Sequence, residues 1–333
     1  MTDNTPLKAK DLRSNQEVRW CPGCGDYSIL ANIQKAVAAT GTPRHKHIFI
    51  SGIGCAARFP FYMETYGFHT IHGRAPAIAT GLAVANPELT VWVATGDGDS
   101  LAIGGNHLIH AIRRNVNINI ILFNNQIYGL TKGQYSPTSE AGKVTKSTPM
   151  GSIDHPLSPA QVALGSGSSF FARVIDTDHK MMADVLAQAV AHKGTSVVEV
   201  LQNCVIFNDG AFEGITDKKN AASAQLCVSH GEPLTFEKGS QGITMRGAEP
   251  VVVPTDGDEE LLVHDVDAGP SYGGMLASLN LPDFPRPLGV LWKHDRPAYE
   301  TAVVDQVKAA EAKHPNAGDL QALLSSGQTW EVS

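Results

Sequence analysis

Short apolar runs rich in β-branched residues recur along the first two-thirds of the chain, at 47–52 (HIFISG), 90–95 (TVWVAT), 117–123 (NINIILF), 170–175 (FFARVI) and 196–201 (SVVEVL). Helix-like stretches separate them, at 29–39, 75–85, 106–114, 159–165 and 180–191. Strand and helix in alternation predict an α/β fold, a doubly wound and mostly parallel sheet with helices on both faces. Ligands of such sheets sit beyond the carboxyl ends of the strands. Three predicted strands run into unusual sequences at that end: 51–55 (SGIGC), 96–100 (GDGDS) and 124–130 (NNQIYGL).

The pattern fades after about Asn208. Residues 209–260 alternate without a clear period, and 269–297 are rich in proline, glycine and aromatic residues. The expected organisation is a polar arm (1–16), a main domain (17–208) and an irregular C-terminal extension (209–333), packed on the domain or wrapped around a partner. Residues 298–325 are expected to add a terminal helix. No internal repeat is visible.

Composition narrows the class. With 42% hydrophobic residues among 333, the chain has the material for a substantial core, and a formal charge of −7 argues against a nucleic-acid partner. The first 20 residues are polar, so no secretory signal is expected. No apolar stretch reaches the ~18 residues of a membrane span. Five cysteines in a chain this long do not make a disulfide scaffold, and a reducing cytoplasm is the expected location.

The cysteines carry the first chemical signal. Cys21 and Cys24 form a CxxC, Cys55 ends SGIGC, and Cys204 stands far downstream. A thioredoxin-like redox pair would follow a strand, yet the residues before Cys21 are charged. Four thiolates suit a structural zinc or an iron–sulfur cluster. The cluster is favoured because Cys55 and Cys204 fall at strand ends, where the site is expected, and Cys55 is 42 residues from Asp97. Cys227, in the poorly patterned region, reads as a small apolar residue.

The second signal is Gly96-Asp97-Gly98, followed by Asn124-Asn125 at the end of the next predicted strand. Glycines on either side of Asp97 let backbone amides approach phosphate oxygens. The Asp97 carboxylate, the Asn125 amide oxygen and the Ile127 carbonyl would give magnesium three hard donors, with diphosphate and water completing its shell. Gly104-Gly105 is expected to open a helix whose N-terminus favours anions. A cluster beside a diphosphate cofactor implies redox chemistry on an organic substrate.

Together CPGCGD, SGIGCAARFPFY, YGFHTIHGRAPAIATGLAVANP, GDGDSLAIGGNHLIHAIRRN and FNNQIYGLTKGQYSPTS resemble the β subunits of 2-oxoacid:ferredoxin oxidoreductases, most closely the 2-oxoglutarate branch. The similarity covers about 17–208, and PSYGGMLASLNLPDFPRPLGVL with His294-Asp-Arg-Pro297 resembles the longer members. The resemblance implies a thiamine diphosphate-binding domain with a [4Fe–4S] cluster on Cys21, Cys24, Cys55 and Cys204, and Mg2+ on Asp97, Asn125 and Ile127. It implies cofactor contacts at Ile53, Gly54, Cys55, Ala56, His72, Gly73, Arg74, Ala75, Gly98, Asp99, Gly129 and Leu130. Ala56 stands where members of that family often have serine.

The family places a cation near Arg58 for the substrate carboxylate, with Leu130 beside it and Lys132 as a second candidate. Arg113 and Arg114 close a predicted helix and are assigned no chemistry. Glu64 sits among aromatic residues without evident orientation, and the histidines lack ligand spacing. The implied activity is oxidative decarboxylation of 2-oxoglutarate to succinyl-CoA, with coenzyme A as acyl acceptor and ferredoxin as electron acceptor, reversible as a carboxylation; pyruvate or a branched 2-oxoacid is the alternative. Residues 209–333 do not repeat the βα pattern, so the pyrimidine-binding half and its activating glutamate are expected from a separate α subunit, in an α2β2 assembly. A zinc-stabilised, non-catalytic subunit is the reading from another class.

Overall fold

The computed structural model describes residues 7–313 and 318–332. The first six residues of the expected arm, 314–317 of the expected terminal helix, and Ser333 lie outside it.

The predicted strands become β1 (His47–Ser51), β3 (Thr90–Gly96), β4 (Ile118–Asn124), β5 (Phe170–Ile175) and β6 (Ser196–Leu201), with a further strand, β2 (Tyr66–His69), beside β1. Apart from the partly exposed ends of β3, every residue in those five is buried, which is why they read as unbroken apolar runs. Helices α1 (Asp26–Ala39), α2 (Ala75–Ala85), α3 (Gly105–Arg114), α4 (Pro159–Gly165) and α5 (His179–Ala191) connect them.

The extension holds more regular structure than its composition suggests. It forms two short helices, α6 (Glu213–Thr216) and α7 (Ala221–Ala224), then β7 (Gln225–Cys227), β8 (Thr235–Phe236), β9 (Gln241–Arg246) and β10 (Glu249–Pro254). Next come α8 (Pro270–Ser278), β11 (Arg286–Lys293), α9 (Tyr299–Lys313) and α10 (Leu320–Leu324). The main sheet runs β2-β1-β3-β4-β6-β5-β11-β7, and β10-β9-β8 form a small antiparallel sheet. The pairs of the main sheet are parallel except β11 with β5. Gly289 in β11 sits at φ 115°, where a side chain would also strike the Val228 carbonyl, so glycine there is required rather than a sign of a loop.

Alternate strand residues feed two cores. Ile50, Val93, Ile120 and Val197 pack with α2, α3, α4 and α8. Phe49, Trp92, Ile121 and Val198 pack with α1 and α5 on the other face. The sheet is thus doubly wound. Among the described residues no helix is long and apolar enough to cross a membrane.

Candidate active site

The carboxyl ends of β1, β3, β4 and β6 open onto two adjoining cavities. The first, about 130 Å³, is walled by Ile53, Gly54, Cys55 and Ala56 after β1, by His72, by Gly96 to Asp99 after β3, and by Asn125, Ile127, Gly129 and Leu130 after β4. The second, about 260 Å³, is walled by Cys21, Cys24, Cys55 and Cys204 together with Arg58, Leu130 and Lys132. Asp26, Cys55, Asn125, Gly129 and Leu130 line both.

Asp97 is 2% exposed, and its Oδ2 accepts hydroxyl protons from Ser136 and Thr138, each at 2.5 Å. Burial raises its pKa to about 6, and the two hydroxyls oppose that rise. Asn125 Oδ1 accepts the Ile127 amide at 3.2 Å, an Asx turn that holds Asn125 and Ile127 on one wall. Gly98 packs against Tyr128, whose hydroxyl donates to the Gly98 carbonyl at 3.0 Å; a side chain at Gly98 would run into that ring.

Asp99, 3% exposed, stands in the wall of the first cavity. Its carboxylate accepts the Ile53 amide at 3.0 Å, the Gly73 amide at 2.7 Å and the Thr95 hydroxyl at 2.7 Å, and meets His72 Nδ1 at 2.5 Å. It organises the cavity walls. Gly73, Arg74 and Ala75 are not among those walls: the Arg74 guanidinium donates to the His72 and Ile103 carbonyls, and Ala75 is fully buried. The expected helix opening at Gly104-Gly105 is present, with Gly104 as the N-cap of α3. Gly104 packs on Gly73, while the helical backbone facing the cavity begins at Gly98, as a π turn over Asp99–Ile103.

Trp20 anchors the CxxC loop, its indole donating to the Cys55 carbonyl at 2.8 Å. The Gly25 amide donates to the Asn203 carbonyl at 3.2 Å, tying the same loop to the turn that carries Cys204. A Cβ at Gly129 would stand 3.4 Å from the Cys204 sulfur and 3.8 Å from that of Cys55, so glycine keeps the space between them clear. Burial, then nearby Asp26 and the neighbouring thiols, pushes the Cys24 thiol well up and the Cys55 thiol to about 12. Asp26 itself is lifted to about 7, chiefly by burial. Cys227, read from the sequence as a small apolar residue, is exposed on β7 beside a separate groove, apart from the other four cysteines.

Arg58 is on the cysteine side, donating to the Arg19 carbonyl at 2.8 Å, and does not line the Asp97 cavity. Glu64 pairs with Arg44 at 3.6 Å on the surface. Sequence reasoning missed Asp26, Tyr128, Ser136, Thr138 and Gln202. All but Gln202 lie inside motifs it had singled out; Gln202, 1% exposed, reaches both Asn125 and Cys24.

A doubly wound sheet with this glycine-flanked aspartate at its strand ends marks a thiamine diphosphate domain, and residues 52–200 match the model of the thiamine pyrophosphate enzyme, C-terminal TPP binding domain. The chain is 50% identical to 2-oxoglutarate oxidoreductase subunit KorB of Mycobacterium tuberculosis, over 99% of this chain and 90% of that one. It is 43% identical to 2-oxoglutarate synthase subunit KorB of Archaeoglobus fulgidus, over 56% and 69%. A solved 2-oxoglutarate:ferredoxin oxidoreductase from Magnetococcus marinus, with 2-oxoglutarate, coenzyme A and succinyl-CoA bound, superposes with a TM-score of 0.78 at 31% identity, covering 98% of both chains. The chain belongs to the KorB family, the β subunits of 2-oxoglutarate oxidoreductases.

Proposed function

We propose that this chain binds thiamine diphosphate through Mg2+ in the Asp97 cavity and a [4Fe–4S] cluster in the cysteine cavity. With an α subunit it would convert 2-oxoglutarate and coenzyme A to succinyl-CoA and carbon dioxide, passing electrons to ferredoxin in the cytoplasm. The observation that carries this reading is the shared wall: Cys55 and Gly129 border both cavities, so electrons leaving an organic centre have a short path to the thiol cavity.

The residues fit both groups. Asp97 Oδ2 is held by two hydroxyls, and no side chain among the described residues engages Oδ1, which leaves an oxygen for a hard cation. Asn125 Oδ1 and the Ile127 carbonyl would complete the protein donors. The four thiols line one space kept clear by Gly129. Four thiols are the number that a [4Fe–4S] cluster takes. Thiols kept neutral by burial release protons when metal binds.

When bound, thiamine diphosphate supplies the electron sink for decarboxylation and the cluster a one-electron acceptor. This chain's residues do the holding. Asp99 fixes the loops after β1 and before α2, Gly98 and Tyr128 line the Asp97 cavity, and Leu130 borders both cavities, with Arg58 and Lys132 on the cysteine side as the candidate cations for the distal carboxylate of the substrate.

The test is the purified α–β complex, assayed for 2-oxoglutarate-dependent reduction of ferredoxin with coenzyme A, alongside metal analysis. Activity of the complex, inactivity of this chain alone, and iron with sulfide are expected. Stoichiometric zinc without iron would overturn the cluster, and turnover by the isolated chain would overturn the heteromer.

A further inference from the structure

Gln202 follows β6, two residues before Cys204, and is almost completely buried. Its Nε2 stands 3.3 Å from the Cys24 sulfur and 2.5 Å from the Asn203 carbonyl, while its Oε1 stands 2.8 Å from Asn125 Nδ2. One orientation of the two amides serves every neighbour. The Ile127 amide donates to Asn125 Oδ1, which turns Asn125 Nδ2 toward Gln202. Gln202 then presents its oxygen to Asn125 and its NH2 group to the sulfur and to the Asn203 carbonyl. Reversing it would set two NH2 groups face to face, and two oxygens likewise.

We infer that Gln202 is a positioning residue that couples the reduction potential of the cluster to occupancy of the metal–diphosphate cavity. The inference rests on the proposed reading, with the cluster on the cysteines and the cation at Asn125. Reduction adds negative charge that spreads onto the ligating sulfurs. An N–H directed at Cys24 stabilises that charge and raises the potential. A cation drawing on Asn125 Oδ1 polarises the Asn125 amide, strengthens the bond it donates to Gln202, and so strengthens donation from Gln202 to Cys24. Gln202 is 1% exposed, in the wall of the cysteine cavity. The residue itself gains and loses no electrons.

The coupling is read with Gln202→Leu and Gln202→Glu in the anaerobically purified α–β complex, by redox titration of the cluster's electron paramagnetic resonance signal, with and without Mg2+ and thiamine diphosphate. Iron and sulfide are measured in every sample. Wild type and variants are expected to hold about four of each. In Gln202→Leu the midpoint falls, so that at the wild-type midpoint the reduced-to-oxidised ratio is about tenfold lower, ~59 mV for a one-electron couple. Adding Mg2+ and thiamine diphosphate should raise the midpoint more in wild type than in Gln202→Leu. By reciprocity, the cofactor should bind the reduced wild-type protein more tightly by the same factor.

A fully loaded Gln202→Leu with an unchanged midpoint would overturn the inference and leave the cluster assignment standing. An iron-free wild-type complex would overturn the underlying reading instead. If Gln202→Leu loses its cluster, Gln202→Glu decides: it keeps the acceptor for Asn125 but puts an oxygen at the sulfur, so its midpoint must lie below wild type, and an equal or higher one sinks the proposal.

Discussion

Asp99 accepts the backbone amide of Gly73 at 2.7 Å across 26 residues of chain, joining the turn after β3 to the entrance of α2. The same carboxylate holds Ile53, so one buried side chain fastens two walls of the cavity. Asp99→Ala would strand both amides, at a cost of about 2–4 kcal/mol. Calorimetry should show a lower Tm and weaker thiamine diphosphate binding together. A wild-type Tm would show that the walls hold their shape without it.

Asp97 should govern metal binding. Asp97→Ala removes the one charged donor of the proposed magnesium set, and cofactor affinity at ordinary magnesium should vanish, whereas Asn125→Ala loses a neutral donor and should weaken binding less. Normal affinity in the Asp97 variant would refute the assignment.

Acid should act on the same residue. Burial raises Asp97 from 3.8 to about 6, so protons compete with the cation and magnesium affinity should fall as pH drops through about 6. Without metal the sign reverses. The folded state binds the proton more tightly than the unfolded chain, so Asp97 favours folding below 3.8 and that contribution is lost as pH rises to about 6. Denaturant titrations of metal-free protein across that window should show the loss, and Asp97→Asn should flatten it.

Replacing Cys21, Cys24, Cys55 or Cys204 by alanine should remove or damage the cluster, seen as lost iron, sulfide and brown colour. Cys227→Ala should change none of these, since Cys227 lies on another groove. Full iron in Cys204→Ala would break the four-ligand assignment.

Arg58 is the candidate for substrate choice. A desolvated distal carboxylate that loses a charged partner is weakened by roughly 2–4 kcal/mol, about 30- to 1000-fold. Arg58→Ala should lower kcat/KM for 2-oxoglutarate by that order and for pyruvate much less. Equal losses would instead tie Arg58 to the cysteine cavity, where it hydrogen-bonds the Arg19 carbonyl.

The five central strands were legible because burial on both faces writes them as continuous apolar runs. Strand β2 was not, since all four of its residues are exposed and leave no burial pattern. Strand β11 was hidden by Pro287 and Gly289, which resemble turn residues, although Gly289 is demanded by a strand irregularity near Val290. In the site, Asp97, Asn125 and the four cysteines announce themselves by chemical type and short spacing. Gln202 could not, because its bond to Cys24 spans 178 residues and exists only once α1 and β6 have come together.

The antiparallel partner of β5 is made late. Arg173 on β5 donates to the Pro287 carbonyl on β11, 114 residues further along the chain. During synthesis β5 can pair with β6 early, yet its other edge stays open until β11 has emerged. Closing so long a loop is entropically slow, and an open, apolar strand edge recruits other strands in the meantime. Yield of native subunit should therefore be set by the interval between emergence of β5 and arrival of β11, and a nascent chain arrested before residue 286 should be the species that chaperones hold.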